Sequence, residues 1–248
     1  MMNDIDNNDL MPEGLIFGAR DLDLGLLQKS DCHLHTSWTD GQSSVSEVYE
    51  KAVSAGLETI LYSEHSRKTS VDWFGDFANE VRQLPTFPCR AYVGTEVKVE
   101  TRAGDIDTVP EISEQCDFVM ASVHRLINER DDTLQFSDVK PDLAVDIEYD
   151  LSWAVLSNVK VDILGHMFGM SYRRFRRTPP ETKIKKLIRR AAEFGVAVEI
   201  NSHYHPSVLR MIELCAEYDA KICFGSNAHA LDEVGGVMTK LRQEIERS

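Results

Sequence analysis

Two histidines one residue apart, His33 and His35, close a short run from Ser30 to His35 that reads as a β-strand. Side chains two apart on a strand share a face, so Asp31, His33 and His35 are expected on one side and Cys32 and Leu34 on the other. Two neutral imidazoles side by side suit a shared metal ion. Thr36 to Gly41 reads as a loop able to carry Asp40 back toward that ion. Taken alone, the pair serves equally well as surface or core histidine, so its meaning depends on what else the chain delivers to the same place.

The elements that must position these residues follow from the hydrophobic pattern. Val45, Val48, Tyr49, Ala52 and Val53 recur at helical spacing, with Ser43 or Ser44 as N-cap and Gly56 as the stop. Leu57 to Ser63 is a strand that delivers Glu64-His65-Ser66. Residues 72–84 read as a helix closed by Pro85. Arg90 to Val99 is a strand carrying Glu96, and Asp117 to Val123 is another, followed at once by His124 and Arg125. Residues 142–157 are helical. Val161 to Leu164 is a strand ending in Gly165-His166, and the next stretch, with Arg173, Arg174, Arg176 and Arg177, reads as a loop. A helix runs from Pro179-Pro180 to Phe194. Val196 to Ile200 is a strand ending in Asn201, Ser207 to Tyr218 a helix, and Lys221 to Phe224 a strand leading to Asn227 and His229. A last helix starts near Asp232.

Strand then helix, repeated about seven times, implies parallel strands covered by helices. In a (β/α) barrel all the strand C-termini open on one mouth, where chemistry sits. Six of the eight histidines, at 33, 35, 65, 124, 166 and 229, fall at strand ends or in the turns directly after them. Core packing accounts for one or two such placements, not for six. With no composition break to mark a linker, the expected organisation is an irregular leader over 1–29, disordered over Met1 to Leu10, and one barrel over 30–248.

At 248 residues, 42% hydrophobic and 27% charged, the chain has the composition of a globular protein with one large core. No apolar run approaches the roughly 20 residues a membrane span requires, and the start lacks the features of a secretory signal. Five widely spaced cysteines read as free thiols of a reducing cytoplasm. A formal net charge of −14 argues against a general nucleic-acid or acidic-membrane binder while leaving room for a local basic pocket.

The ordered set His33-Leu34-His35-Thr36 with Asp40-Gly41, Ser63-Glu64-His65, Gly94-Thr95-Glu96, Ser122-Val123-His124, Gly165-His166, Glu199-Ile200-Asn201 and Gly225-Ser226-Asn227-Ala228-His229 resembles the motifs of the PHP (polymerase and histidinol phosphatase) family. The resemblance covers about residues 30–235. It implies an α/β fold, a distorted (β/α)7 barrel, with two to three divalent ions (Zn, Mn or Fe) at its mouth. Carried over by position, His33 and His35 ligate the first ion, with Glu96 bridging it to the second. His124 and His166 complete the second site, and Asp40, His65 and His229 the third. Asn227 stands where the family usually has Asp. Its neutral carbonyl can coordinate but brings no charge, so a weakened first site or a slower enzyme is expected. Glu96, Asp40, His229 and Asn227 are the expected catalytic residues.

The reaction implied is hydrolysis of a small phosphomonoester, in the manner of a histidinol phosphatase, with in-line attack by a metal-bound hydroxide. A phosphodiesterase with the same metal centre, and a metal-binding or regulatory domain without turnover, are the alternatives. No polymerase module is expected. Arginine's planar fork matches phosphate oxygens, so Arg173, Arg174, Arg176, Arg177 and Arg125 are candidate substrate contacts; Arg67, Lys68 and Lys98 also follow expected ligands. A solvated face explains each of these cations equally well or better. Trp38 and Tyr172 either line a pocket or pack in loops, and His203 and His205 are expected behind the ligands or at the surface.

Overall fold

Parallel strands with side chains buried on both faces need cover on both, and this chain provides it by curling its sheet around an inner core and laying helices outside. The computed structural model describes residues 14–23 and 29–248. Met1 to Leu10, expected to be disordered, lie outside the described residues. The strands are β1 (Phe17–Gly18), β2 (Ser30–Leu34), β3 (Thr59–His65), β4 (Arg90–Lys98), β5 (Phe118–Ser122), β6 (Ile163–Leu164), β7 (Ala197–Asn201) and β8 (Lys221–Gly225). The helices are α1 (Val45–Ser54), α2 (Phe74–Arg82), α3 (Pro110–Ser113), α4 (Pro141–Val155), α5 (Gly169–Arg173), α6 (Glu181–Phe194), α7 (Val208–Glu217) and α8 (Gly236–Ile245).

β2 to β8 pair in sequence order, all parallel, and β1 adds antiparallel to β8. The sheet curls until its ends meet: His35 N donates to Ala228 O (2.9 Å) and Ala228 N to His33 O (3.0 Å). The result is the distorted seven-stranded barrel. Its lower interior is filled by Leu15, Cys32, Leu61, Tyr92, Phe118, Met120, Ile163, Ala197 and Cys223. The period-2 alternation that points these residues inward also points inward residues an even number of positions further on: Ser63 and His65 on β3, Glu96 and Lys98 on β4, and Glu199 and Asn201 on β7. An apolar floor therefore passes directly into a polar mouth at the strand C-termini.

β2 breaks the expected alternation. Its register against β3 shifts between Asp31 and Leu34, the signature of a bulge. Cys32 consequently lies in the barrel floor, its Sγ 3.0 Å from that of Cys223, while the adjacent His33 also turns inward. Asp31 does not share the histidines' face. Its carboxylate accepts from Ser226 N (2.9 Å), Gly235 N (2.9 Å) and His33 N (3.3 Å), bracing the seam where the barrel closes. All five cysteines are free.

Helix boundaries follow local chemistry. Ser44 caps α1 in a capping box with Glu47, and Val45, Val48, Tyr49 and Ala52 face the core. Gly195, in the left-handed region at φ 72°, ends α6. Three features depart from expectation. The start of the final helix is delayed to Gly236 by a 3-10 turn at Leu231–Glu233 and a left-handed Gly235. The leader contributes β1 and the buried Leu15. The stretch after His166 is not all loop, because α5 ends at Arg173. Among the described residues no helix is long and apolar enough to cross a membrane.

α5 is held by a buried carboxylate on α4. Glu148 accepts from Met170 N (3.0 Å), Ser171 N (2.8 Å) and Ser171 Oγ (2.6 Å). Burial pushes its carboxyl up to about 7, against the opposing pull of those hydrogen bonds. Unfolded, it titrates near its ordinary 4.5, so between 4.5 and about 7 the folded chain holds the extra proton. This group's contribution therefore favours folding at low pH and is lost as pH rises through 7. Glu148→Gln removes that dependence. In urea denaturation across this range, the stability of wild type minus that of the variant should fall by about 3 kcal/mol with rising pH; a difference independent of pH would contradict the assignment.

Candidate metal centre

Each strand end delivers one part of the site. β2 supplies His33 and His35, and the following loop folds back because Gly41 has no side chain: a Cβ there would lie 2.5 Å from the His35 carbonyl carbon and oxygen. Asp40 is thereby carried over the mouth. Buried Glu64 fixes the loop, accepting from Thr36 N and Thr36 Oγ1 at 2.6 Å each and from Thr39 Oγ1. Burial pushes Glu64 up to about 7, partly offset by these donors.

Glu96 lies at the centre, wholly buried. Its Oε1 is 2.8 Å from His166 Nε2 and 3.1 Å from His124 Nε2. Its Oε2 faces His65 Nδ1 (3.0 Å), His33 Nε2 (3.4 Å) and His35 Nε2 (3.8 Å). One carboxylate thus stands among five imidazoles. Burial alone would raise the Glu96 carboxyl, but His124 and His33 outweigh it and hold the group well below the usual carboxylate range.

Hydrogen bonds do not account for this packing. His33 Nδ1 lies 2.8 Å from Glu199 Oε1, so its proton belongs there and a neutral ring turns a bare Nε2 toward His35 Nε2, 3.1 Å away. His124 Nε2 and His166 Nε2 are likewise 3.1 Å apart. Glu96 Oε2 and His65 Nδ1, although 3.0 Å apart, are buried without the geometry of a hydrogen bond, and buried His35 Nδ1 has no hydrogen-bond partner among the described residues. Lone pairs converging in a desolvated pocket require a cation between them. Among the described residues, three groups have donor atoms close enough to share an ion: His33, His35 and Glu96; His65, Glu96 and His124; and His35, Asp40, His65 and His229. Imidazole and carboxylate together suit zinc, manganese or iron.

Asp40 joins the outer two rings, its Oδ1 3.4 Å from His229 Nε2 and its Oδ2 3.5 Å from His65 Nε2. The contacts to His229 and then His65 hold its carboxyl below the usual range. Burial pulls His65 down, but Asp40 and Glu96 prevail and bring it up to about 9. Protons and divalent ions therefore compete for the same donors.

The supporting shell holds the residues sequence reasoning missed. Glu199, part of a recognised motif but given no role, accepts from His33 Nδ1, from Asn201 Nδ2 (2.6 Å) and from the His166 backbone N (2.5 Å), orienting the His33 imidazole and anchoring the main chain at His166. Gly225 makes room for it, since a Cβ there would lie 1.9 Å from Glu199 Oε1. Asn227 adopts φ 54°, a left-handed conformation that Asn tolerates, and its carbonyl lies 3.0 Å from His229 Nδ1.

A cavity of about 370 Å³ opens over the centre, lined by Asp40, His65, Glu96, His124, Asn227 and His229 together with Arg67, Lys98 and Tyr204. Arg173, Arg174, Arg176, Arg177 and Arg125 are not in its lining. Arg125 lies 3.7 Å from Glu100, Arg174 stacks over Phe136 at 4.3 Å, and Arg177 pairs with Asp142 at 2.6 Å. Trp38 packs in its loop, stacked on Trp73 with Nε1 donating to Glu80 (2.7 Å). His205 is buried behind the ligands, between Asn201 N and Met167 O, and burial brings it down to about 4. His203 and Tyr172 line a neighbouring cleft.

A curled parallel sheet with histidines and carboxylates gathered at its mouth defines a metal-dependent phosphoesterase, an enzyme of the hydrolase class. The chain belongs to the PHP domain family, whose model matches residues 31–203. It is 30% identical over 227 residues to a probable phosphatase of Vibrio atlanticus, covering 84% of this chain and 81% of that one. It is also 24% identical over 228 residues to the DNA polymerase/3'-5' exonuclease PolX of Bacillus subtilis; 88% of this chain spans only 37% of that protein's length. The structure resembles histidinol phosphate phosphatase from Lactococcus lactis, solved with zinc, L-histidinol and phosphate, at a TM-score of 0.64 and 18% identity, covering 88% of this chain and 93% of that one.

Removing the Glu199 charge should loosen the centre without touching a candidate ligand. Glu199→Gln places an amide N–H against either His33 Nδ1–H or His166 N–H. Affinity for zinc or manganese, measured by competition with a chromogenic chelator, should fall about 10–100-fold; unchanged affinity would show that the His33 ring and the His166 main chain hold their places unaided.

Proposed function

We propose that the enzyme hydrolyses a small phosphomonoester, in the manner of a histidinol phosphatase, using two to three divalent ions of zinc, manganese or iron. The observation that carries this reading is the desolvated Glu96 carboxylate among five imidazoles, directly beneath a cavity sized for a small ester. His33, His35 and Asn227 with Glu96 would hold one ion, His124 and His166 with Glu96 a second, and Asp40, His65 and His229 a third. Ions held there supply a water activated for attack near neutral pH and a clamp on the phosphoryl oxygens.

The chain's own groups supply the rest. Water attacks phosphorus, the ester P–O bond breaks, and the departing alkoxide takes a proton. Asp40 and His229, which line the cavity 3.4 Å apart, would govern that proton. Arg67 and Lys98 project into the cavity and form no ion pair among the described residues, so their charge is available to phosphate oxygens. Burial, then Arg67 and Arg125, lower the Lys98 pKa, a cost that a bound phosphate would relieve. Arg125 strengthens this positive rim from beside His124. The description of the Vibrio protein as a probable phosphatase supports the same reading. A reducing cytoplasm is the compartment that five free cysteines favour.

Asn227 leaves one negative charge out of the donor set. Asn227→Asp should tighten metal binding and raise turnover roughly tenfold at limiting metal, whereas His35→Ala should lower kcat/KM by about 1,000-fold or more. The measurement is phosphate release from a panel of mono- and diesters with added manganese or zinc, paired with elemental analysis. Release from no ester by metal-loaded protein would contradict the hydrolase reading, and faster cleavage of diesters would replace the monoesterase by a diesterase.

A further inference from the structure

Beside the metal cavity, across Tyr204, lies a second cleft of about 340 Å³. Arg173, Arg176, Arg177 and Lys240 line it, and among the described residues no carboxylate does. That is unusual in a chain of net charge −14 with 41 acidic residues. Among the described residues, Arg177 alone of these four forms an ion pair, with Asp142 at 2.6 Å. Arg173 is 3.2 Å from the ring nitrogen of His203, and Lys240 Nζ donates to the carbonyls of His205 (2.5 Å) and Ser202 (3.0 Å), so both heads are fixed, and neither forms an ion pair among the described residues. Arg176 has no ion pair among the described residues and sits at φ 49°, a left-handed conformation costly for a side chain of its size.

Tyr204 connects this cleft to the chemistry. Its ring packs on that of His166, centroids 4.3 Å apart, and it lines both cavities. Gly169 makes the contact possible, because a Cβ there would lie 2.7 Å from His166 Nδ1 and 3.0 Å from the tyrosine ring. Tyr204 is therefore a wall common to the metal cavity and the cleft, so a molecule whose phosphoryl group rests over Glu96 has the cleft as its neighbouring pocket. Cations from three directions suit the several oxygens of a phosphate better than the two coplanar oxygens of a carboxylate, which one arginine satisfies.

We propose that the substrate is a bisphosphate, with one phosphoryl group at the metal centre and the second phosphate held in the cleft by Arg173, Arg176 and Lys240. This rests on the phosphoesterase reading above and names its substrate class. The test compares pairs that differ by one phosphate, fructose 1,6-bisphosphate against fructose 1-phosphate and adenosine 3',5'-bisphosphate against adenosine 3'-monophosphate, with p-nitrophenyl phosphate as a reference for hydrolysis itself. For at least one pair, kcat/KM of the manganese- or zinc-loaded enzyme should be about 10-fold or more higher for the bisphosphate. In Arg173→Ala/Arg176→Ala that ratio should collapse toward about one through KM. A wild type with no preference in either pair, or a folded variant that keeps its preference, overturns the proposal while hydrolysis of p-nitrophenyl phosphate leaves the phosphoesterase reading intact. Should no ester be turned over, that reading falls, and titration calorimetry with the same pairs still decides the cleft. Tighter bisphosphate binding that the variant abolishes upholds it; equal binding overturns it.

Discussion

The structure depends on one electrostatic problem, a carboxylate buried among imidazoles. Glu96 is buried, and among the described residues no arginine or lysine forms an ion pair with it; histidine nitrogens surround both its oxygens. Burial of an ionised carboxylate is tolerated only with compensation close at hand. Histidines can compensate by taking protons or by sharing a cation. His33 and His65 are raised while His35 and His124 are lowered, so protonation satisfies the cluster only in part. Divalent ions satisfy all of it, because every ring can then turn a lone pair inward.

The barrel makes that arrangement possible. Strand alternation brings Glu96, His65, Glu199 and Asn201 to one mouth from three strands, over an apolar floor that excludes water from below. Glu199, Glu64 and Asp31, each wholly buried, then fix what alternation alone leaves loose: the ring plane of His33 and the main chain at His166, the loop carrying Asp40, and the seam where β2 meets β8. Gly225 and Gly41 admit those contacts where any side chain would collide. Catalytic positioning and barrel closure are therefore one structural task.

Much of this is legible in the chain itself. Parallel strands buried on both faces read as apolar runs, and the histidines placed after them announce a common mouth, so the strand order and the cluster at 33, 35, 65, 96, 124, 166 and 229 follow from local pattern. What escaped depends on contacts distant in sequence. The bulge in β2 is set by pairing with β3, so simple alternation put Asp31 with the histidines and Cys32 away from them, the reverse of what the barrel requires. Glu199 looks like an ordinary strand residue until His33, 166 positions earlier, lies against it. The run of arginines advertised an anion site, but its reach could not be read: a short helix ending at Arg173 turns it toward the cleft beyond Tyr204, and Arg67 and Lys98 take the place beside the metal centre.

The shared role of Glu96 tests the whole account most directly. Crystals grown with manganese or zinc, with diffraction collected at the metal's absorption edge, would locate every ion without reference to activity. Anomalous peaks are predicted on both sides of Glu96, one between His33, His35 and Oε2 and one between His124, His166 and Oε1, with both lost in Glu96→Gln. A fully loaded crystal with no peak against Glu96, or with peaks that survive the substitution in place, would contradict it.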